Sequence, residues 1–385
     1  MRRSTDRILT SHAGSLSRPD DLIELFRDGA PADKLEPRLR SAVAEVVRQQ
    51  VEAGIDVVND GEFGKPMTQS VDYGAFGSYI FNRVTGFEVK ETYVGAGMSR
   101  NVSKDRRDFK EFYDSGGAAT GPTVRRTVMT CVGPIKYSGH AEIKRDIDNF
   151  KAALQAAGVE DGIMMAVGPT TVFAEGTHYA SQEDYTWAMA EAVREEYRAI
   201  IDAGLNLQID DPFIVCNYDL QFSLDETPER YRKWAEFQVE AVNHALEGIP
   251  EERVRYHLCW GSWHGPHSTD MPLSDVIDLI LKVKAQVYSF EAGNVRHEHE
   301  WKVWRDAKLP DGKSVMPGVV SHATNVLEHP EVVADRLVRY AEAVGRENVI
   351  AGTDCGLGGR IHPQLAWAKL RMLSEGAALA SKQLF

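Results

Sequence analysis

Short β-branched, apolar runs alternate along this 385-residue chain with longer stretches whose apolar positions recur every three or four residues. The short runs have the character of buried strands and the long ones the period of helices packed on a sheet. That rhythm predicts βα units around a parallel sheet. Strands are expected at 8–13, 56–60, 163–167, 205–209, 254–258, 287–290, 315–320 and 349–353. Between the third and fourth, the segment 183–203 carries Trp187, Ala190, Val193, Tyr197, Ile200 and Ile201 at helical spacing, with Ser181 and Asp184 as a capping box and Gly204 as the stop. Eight such units predict an α/β fold of the (β/α)8 TIM-barrel class, one catalytic domain spanning 1–385. The rhythm breaks once, where roughly a hundred residues separate the second strand from the third. Within that gap 127–132 is β-like and is expected as an accessory ribbon, and the glycine- and charge-rich 95–121 as a mobile cover. Together they form an insertion at about 85–145 over the barrel mouth.

Composition narrows the functional classes. At 43% hydrophobic and 26% charged the chain is an ordinary globular protein, and its formal charge of -13 with no basic stripe argues against a nucleic-acid partner. The most basic stretch, 100–110, also contains Asp105 and Asp108. No apolar run reaches the ~20 residues of a membrane span, and the first residues lack the apolar core of a signal peptide, so no membrane partner and a cytoplasmic location are expected. Cys131, Cys216, Cys259 and Cys355 show no CxxC spacing. They suit a reducing compartment, with thiolates left for a metal, better than a disulfide framework.

The residues at the predicted strand ends are unusual. In barrels of this class the active site is built there, and here those positions hold His12 and Ser15, Glu62, Asp210 and Asp211, His257 and Cys259, Glu291, His322, and Cys355. Residues two apart on a strand share a face, so one ion can reach both His257 and Cys259. With Glu291 and Cys355 they make a four-ligand zinc (Zn2+) set, spread too widely along the chain for a zinc finger. Taken singly, each of these residues also fits a buried core position. A zinc ion carrying two thiolates and a carboxylate is a poor Lewis acid but a good holder of a thiolate, which favours alkylation of a sulfur substrate over hydrolysis. The expected partners are a small-molecule thiol and an alkyl donor. His322 is the expected proton donor. Glu62 and Asp210, read as acceptors with no basic neighbour in sequence, are expected to hold an ammonium. Ser15, after Ala13-Gly14, and His12 complete the substrate contacts.

The segments "SHAGSLSRP" (11–19), "DVVNDGEFGK" (56–65), "LQIDDP" (207–212), "HLCWG" (257–261), "FEAGN" (290–294), "MPGVVSH" (316–322) and "GTDCGLGGR" (352–360) resemble, in order, the catalytic domain of cobalamin-independent methionine synthase. The resemblance implies a (β/α)8 barrel, zinc, and methyl transfer to the thiol of homocysteine. It places His257, Cys259, Glu291 and Cys355 on the metal ligands, Glu62 and Asp210 on the ammonium contacts, Ser15 on the carboxylate contact and His322 on the acid. By this resemblance the 385 residues are expected to correspond to the catalytic half of the full-length synthase, and 168–180 lacks a folate-facing tryptophan pattern. His12 and "WHGPH" (263–267) look more like short single-barrel relatives, among them epoxyalkane:coenzyme M transferases. Two readings stay open: alkyl transfer to an amino-acid thiol, or epoxide opening (or the reverse carbon–sulfur lyase reaction) with a sulfonate thiol, which calls for a cationic contact such as Arg18, Lys65 or Arg360.

Overall fold

The computed structural model describes residues 1–68, 75–95, 103–115, 124–172, 174, 176, 178–219, 228–261 and 264–385. Its strands, in chain order, are β1 (Leu9–Thr10), β2 (Phe87–Gly95), β3 (Val124–Cys131), β4 (Ile163–Val167), β5 (Asn206–Asp210), β6 (Val254–Leu258), β7 (Val287–Phe290), β8 (Ser314–Val320) and β9 (Ile350–Thr353). Among the described residues, seven form a curled parallel sheet in the order β1-β9-β8-β7-β6-β5-β4, while β2 and β3 pair antiparallel by themselves.

Helices connect the parallel strands, as the alternation predicts. The helix Gln182–Asp202 between β4 and β5 buries Tyr185, Met189, Val193, Tyr197 and Ile200, and Ser181 Oγ accepts the Asp184 N–H at 3.0 Å. Strand pleating then sorts the side chains by function. Leu207, Ile209, Tyr256, Leu258, Tyr288 and Phe290 pack into the main core. Their neighbours Gln208, Asp210, Arg255, His257 and Ser289, equally buried, alternate with them and project from the opposite face. Register aligns this second set: Gln208 stands opposite Arg255, Asp210 opposite His257, and His257 opposite Ser289.

Two expected strands are cut short. Only Leu9–Thr10 of 8–13 is a regular strand, and 56–60 contributes isolated parallel bridges, Ser11 to Val57 and Val58 to Gly162. Side chains divert this backbone. Asn59 Oδ1 accepts the Gly61 N–H and Asp60 Oδ1 the Glu62 N–H, two Asx turns that end the pairing. The accessory ribbon is present and longer than expected, because β3 pairs with β2 over the register Phe87–Cys131 to Gly95–Val124. The helix His140–Ala157 begins within the expected insertion at about 85–145. Much of the expected cover, 96–102 and 116–121, lies outside the described residues. Its described middle is anchored: buried Asp105 accepts the Ser268 N–H at 2.9 Å, tying 103–115 to the loop after β6. No helix among the described residues is long and apolar enough to cross a membrane.

Candidate metal and thiol site

β6 delivers His257 on its penultimate residue and Cys259 just beyond its end, and the turn after β9 delivers Cys355. One ligand atom from each of these three buried residues lies within 4.8 Å of the others. The two sulfurs are 3.9 Å apart. Tetrahedral zinc with bonds of ~2.3 Å requires ~3.8 Å between sulfurs, so the spacing fits. The imidazole is prepared as well. Its Nδ1 lies 2.9 Å from Ser289 Oγ, leaving Nε2 buried without a hydrogen-bond partner. Anchored at Nδ1 and placed beside Cys355, the ring can bind a metal through Nε2 in its neutral form. A proton shared between the sulfurs separates their acidities: the hydrogen bond with Cys259 holds Cys355 well below the ordinary thiol range, while Cys259 is raised.

Glu291 is not part of this three-residue group. Its Oε1 accepts the Trp260 N–H at 2.9 Å and its Oε2 the Asn294 amide at 2.7 Å. Burial, reinforced by Asp354, pushes the carboxyl up to about 8. Positive charge arriving beside it would favour the carboxylate.

A cavity opens beside the sulfurs, with Ser15, Glu62, Asp210, His257, Cys259, Cys355 and Arg360 in its wall. The turn after β1 and the turn after β9 touch there. A Cβ on Gly356 would fall 2.7 Å from the Ser15 nitrogen, so only glycine allows the approach. Glu62 adopts a left-handed backbone at φ 61°, unusual for a non-glycine residue and the kind of strain that gathers at functional sites. It is not without a basic neighbour: Lys65 Nζ donates to Glu62 Oε2 at 2.9 Å, both side chains are buried, and the ammonium lies 4.6 Å from the Tyr79 ring centroid. The three-residue spacing of Glu62 and Lys65 was readable in the sequence. Its buried pairing follows only from the tight turn. Asp210 is pushed up to about 7, by burial first and then by Glu62.

His12 and His322 do not join the cavity wall. The His12 ring turns to Gln50, with Nε2 2.9 Å from Oε1, and burial lowers it to about 4. Two residues beyond β1, the ring is thus held against the helix that carries Gln50. His322 is buried and burial lowers it to about 3, so its ring is neutral. A proton donor at this position acts as an imidazolium only after negative charge has been brought beside it. The residues that sequence reasoning missed, Ser289, Gln208 and Arg255, share one signal, a polar side chain at an alternate position of an otherwise apolar strand.

Residues 131–378 match the family model described as the catalytic domain of cobalamin-independent synthase. The chain is 26% identical to 2-hydroxypropyl-CoM lyase of Xanthobacter autotrophicus, over 93% of this chain and 89% of that protein. It is 24% identical to methionine synthase of Sulfolobus acidocaldarius, over 97% and 93% of the two. The structure of a B12-independent methionine synthase from Shewanella sp. W3-18-1 in complex with selenomethionine covers 98% of this chain and 99% of its own, at 22% identity and a TM-score of 0.72, a likeness of fold. The chain therefore belongs to the cobalamin-independent synthase catalytic-domain family.

Proposed function

We propose that this protein is a zinc-dependent transferase that moves a methyl or other small alkyl group onto a bound thiol, with homocysteine as the first acceptor to test. The observation that carries the reading is the buried His257, Cys259 and Cys355 group, whose sulfur spacing suits a tetrahedral ion. These three residues would hold the ion, with Glu291 as fourth ligand once its carboxylate leaves Trp260 or Asn294. Zinc at this position supplies the positive charge that lets an incoming thiol ionise near neutral pH.

The remaining roles belong to the chain's own side chains. Glu62 and Asp210 accept hydrogen bonds from the substrate ammonium, and Ser15 meets its carboxylate. The substrate sulfur forms the new S–C bond while the donor's leaving atom departs with the bonding pair. His322, neutral beforehand, takes a proton from solvent as negative charge develops on that atom and passes it on. The sheet belongs, in this reading, to a single closed (β/α)8 barrel over 1–385. The bridges at Val57 and Val58, which stand between the β1 and β4 edges, support that closure. The segment from β2 to β3 covers its mouth, as the Asp105 anchor on Ser268 supports.

One observation favours a second reading, the opening of an epoxide or the reverse lyase reaction with an anionic thiol. Lys65 already compensates Glu62, and Arg360 stands in the cavity wall. Thiol-dependent turnover of zinc-loaded protein against a panel of methyl donors and epoxides, read by mass spectrometry, tests both. Methylated homocysteine supports the first reading. A thioether formed only from an epoxide and an amine-free thiol replaces it with the second.

A further inference from the structure

Arg255 is 1% exposed; among the described residues its guanidinium hydrogen-bonds no carboxylate, and Asp210 and Asp161 offset its burial only through space. Nε donates to Gln208 Oε1, Nη1 to Ser11 Oγ at 2.8 Å, and Nη2 to the His12 carbonyl at 2.9 Å. Met316 Sδ lies 3.2 Å from Nη1. A buried charge among neutral partners is costly, and an apolar side chain would fill the same volume at lower cost. Stability alone therefore does not account for an arginine here.

Its position does. On β5 and β6, Gln208 and Arg255 form one layer, and Asp210 and His257 form the next layer toward the strand ends. A guanidinium has donors only, so the Gln208 amide must turn its oxygen toward Arg255. The amide nitrogen is then directed to the Ala13 carbonyl at 2.8 Å and to Asp210 Oδ1 at 2.5 Å. Were the amide reversed, two sets of N–H donors would face each other and Asp210 would meet a second oxygen. The orientation is thus imposed from below, and it engages one oxygen of Asp210 while leaving Oδ2 for a ligand.

We propose that Arg255 is a positioning residue for the thiol site, acting through Gln208 to fix the rotamer of Asp210 and to keep it an acceptor for the substrate ammonium. The inference rests on the proposed recognition of an amino-acid thiol by Asp210. It adds to that reading a relay of core residues that never touches substrate.

The test uses the zinc-loaded full chain and calorimetric binding of L-homocysteine and of 4-mercaptobutanoate, which lacks the amine. Gln208→Glu retains an oxygen for Arg255 and nearly the same shape but replaces the donor to Asp210 with an acceptor. Arg255→Lys retains a charge but lacks the planar fork that holds the amide. Each change is expected to weaken homocysteine about tenfold or more and 4-mercaptobutanoate by less than about twofold, with zinc content intact. In an Asp210→Asn background neither change should weaken homocysteine further, because the relay has lost its target. Should Arg255→Lys fail to fold, the Gln208→Glu cycle decides alone. Equal loss of both thiols, or the same factor with and without Asp210, overturns the relay and leaves Arg255 a structural residue. Failure of the wild type to bind homocysteine overturns the amino-thiol reading and the relay with it.

Discussion

Replacing Gly318 by alanine should damage the proposed metal site without touching any of its proposed ligands. Gly318 lies on β8 opposite Gly352 of β9. An added Cβ would sit 2.3 Å from Asp354 Oδ1 and 2.5 Å from both the Asp354 nitrogen and Cα. The carboxylate cannot swing aside freely, because Oδ1 accepts the Ala292 N–H at 2.8 Å and the Gly293 N–H at 2.7 Å. Two of the three clashing atoms are backbone, so the chain just beyond β9 must retreat, by about 0.9 Å to regain ordinary contact. Cys355 is the next residue and moves with it. Metal–ligand distances tolerate about ±0.2 Å, so zinc affinity should fall roughly 10- to 100-fold, as when an outer partner of a metal ligand is lost. Overpacking should cost a further ~1–3 kcal/mol of stability. Competition with a chromophoric chelator measures the first effect and urea unfolding the second. Gly133→Ala, whose nearest neighbour to the new Cβ is 3.8 Å away, is the control. A folded Gly318→Ala protein with zinc affinity within about twofold of wild type would refute the claim that β8–β9 spacing sets the sulfur geometry.

Four further expectations follow from the same geometry. Cys259→Ser and Cys355→Ser should each lower zinc below one ion per chain by elemental analysis, and undiminished content in both would remove the metal assignment. Thiol binding to the zinc-loaded protein should release close to one proton near neutral pH, seen as a buffer-dependent heat, and equal binding to zinc-free protein would contradict it. Glu62→Gln and Asp210→Asn should weaken homocysteine by roughly 2–5 kcal/mol while sparing amine-free thiols, with both acids reduced to scaffold if the two thiols suffer alike. His297 sits between Asp270 and Glu300, 2.9 and 3.0 Å from its two nitrogens, and stacks on Trp260. Burial opposes its charge, but the two carboxylates prevail and raise it from 6.5 to about 10. The stabilisation, on the order of 4–5 kcal/mol, is complete below about pH 6.5 and lost as pH rises through about 10. Urea unfolding of His297→Gln should show that slope abolished, and an unchanged slope would place the titration elsewhere.

Along the chain itself, period and residue type settle the βα rhythm, the helix at 182–202 with its Ser181 cap, and the order in which His257, Cys259 and Cys355 arrive at or just beyond strand ends. These are local properties: pleating and helical repeat act over a few residues, and the preference of Cys, His and Glu for one metal belongs to their chemistry. Tertiary structure decides the rest, because it depends on which segments meet. The Asx turns of Asn59 and Asp60 end the second expected strand and deliver Glu62 to Lys65, turning an apparently uncompensated acid into a buried ion pair. The short β1 sends His12 to Gln50 rather than to the cavity. Parallel register sets Ser289 beside His257 and so anchors its ring at Nδ1, and it stacks Arg255 and Gln208 beneath Asp210. Register joins residues tens of positions apart, and no local pattern encodes a distance between two strands. The 3.9 Å between Cys259 and Cys355 exists only once β6 and β9 have been held in place by everything between them.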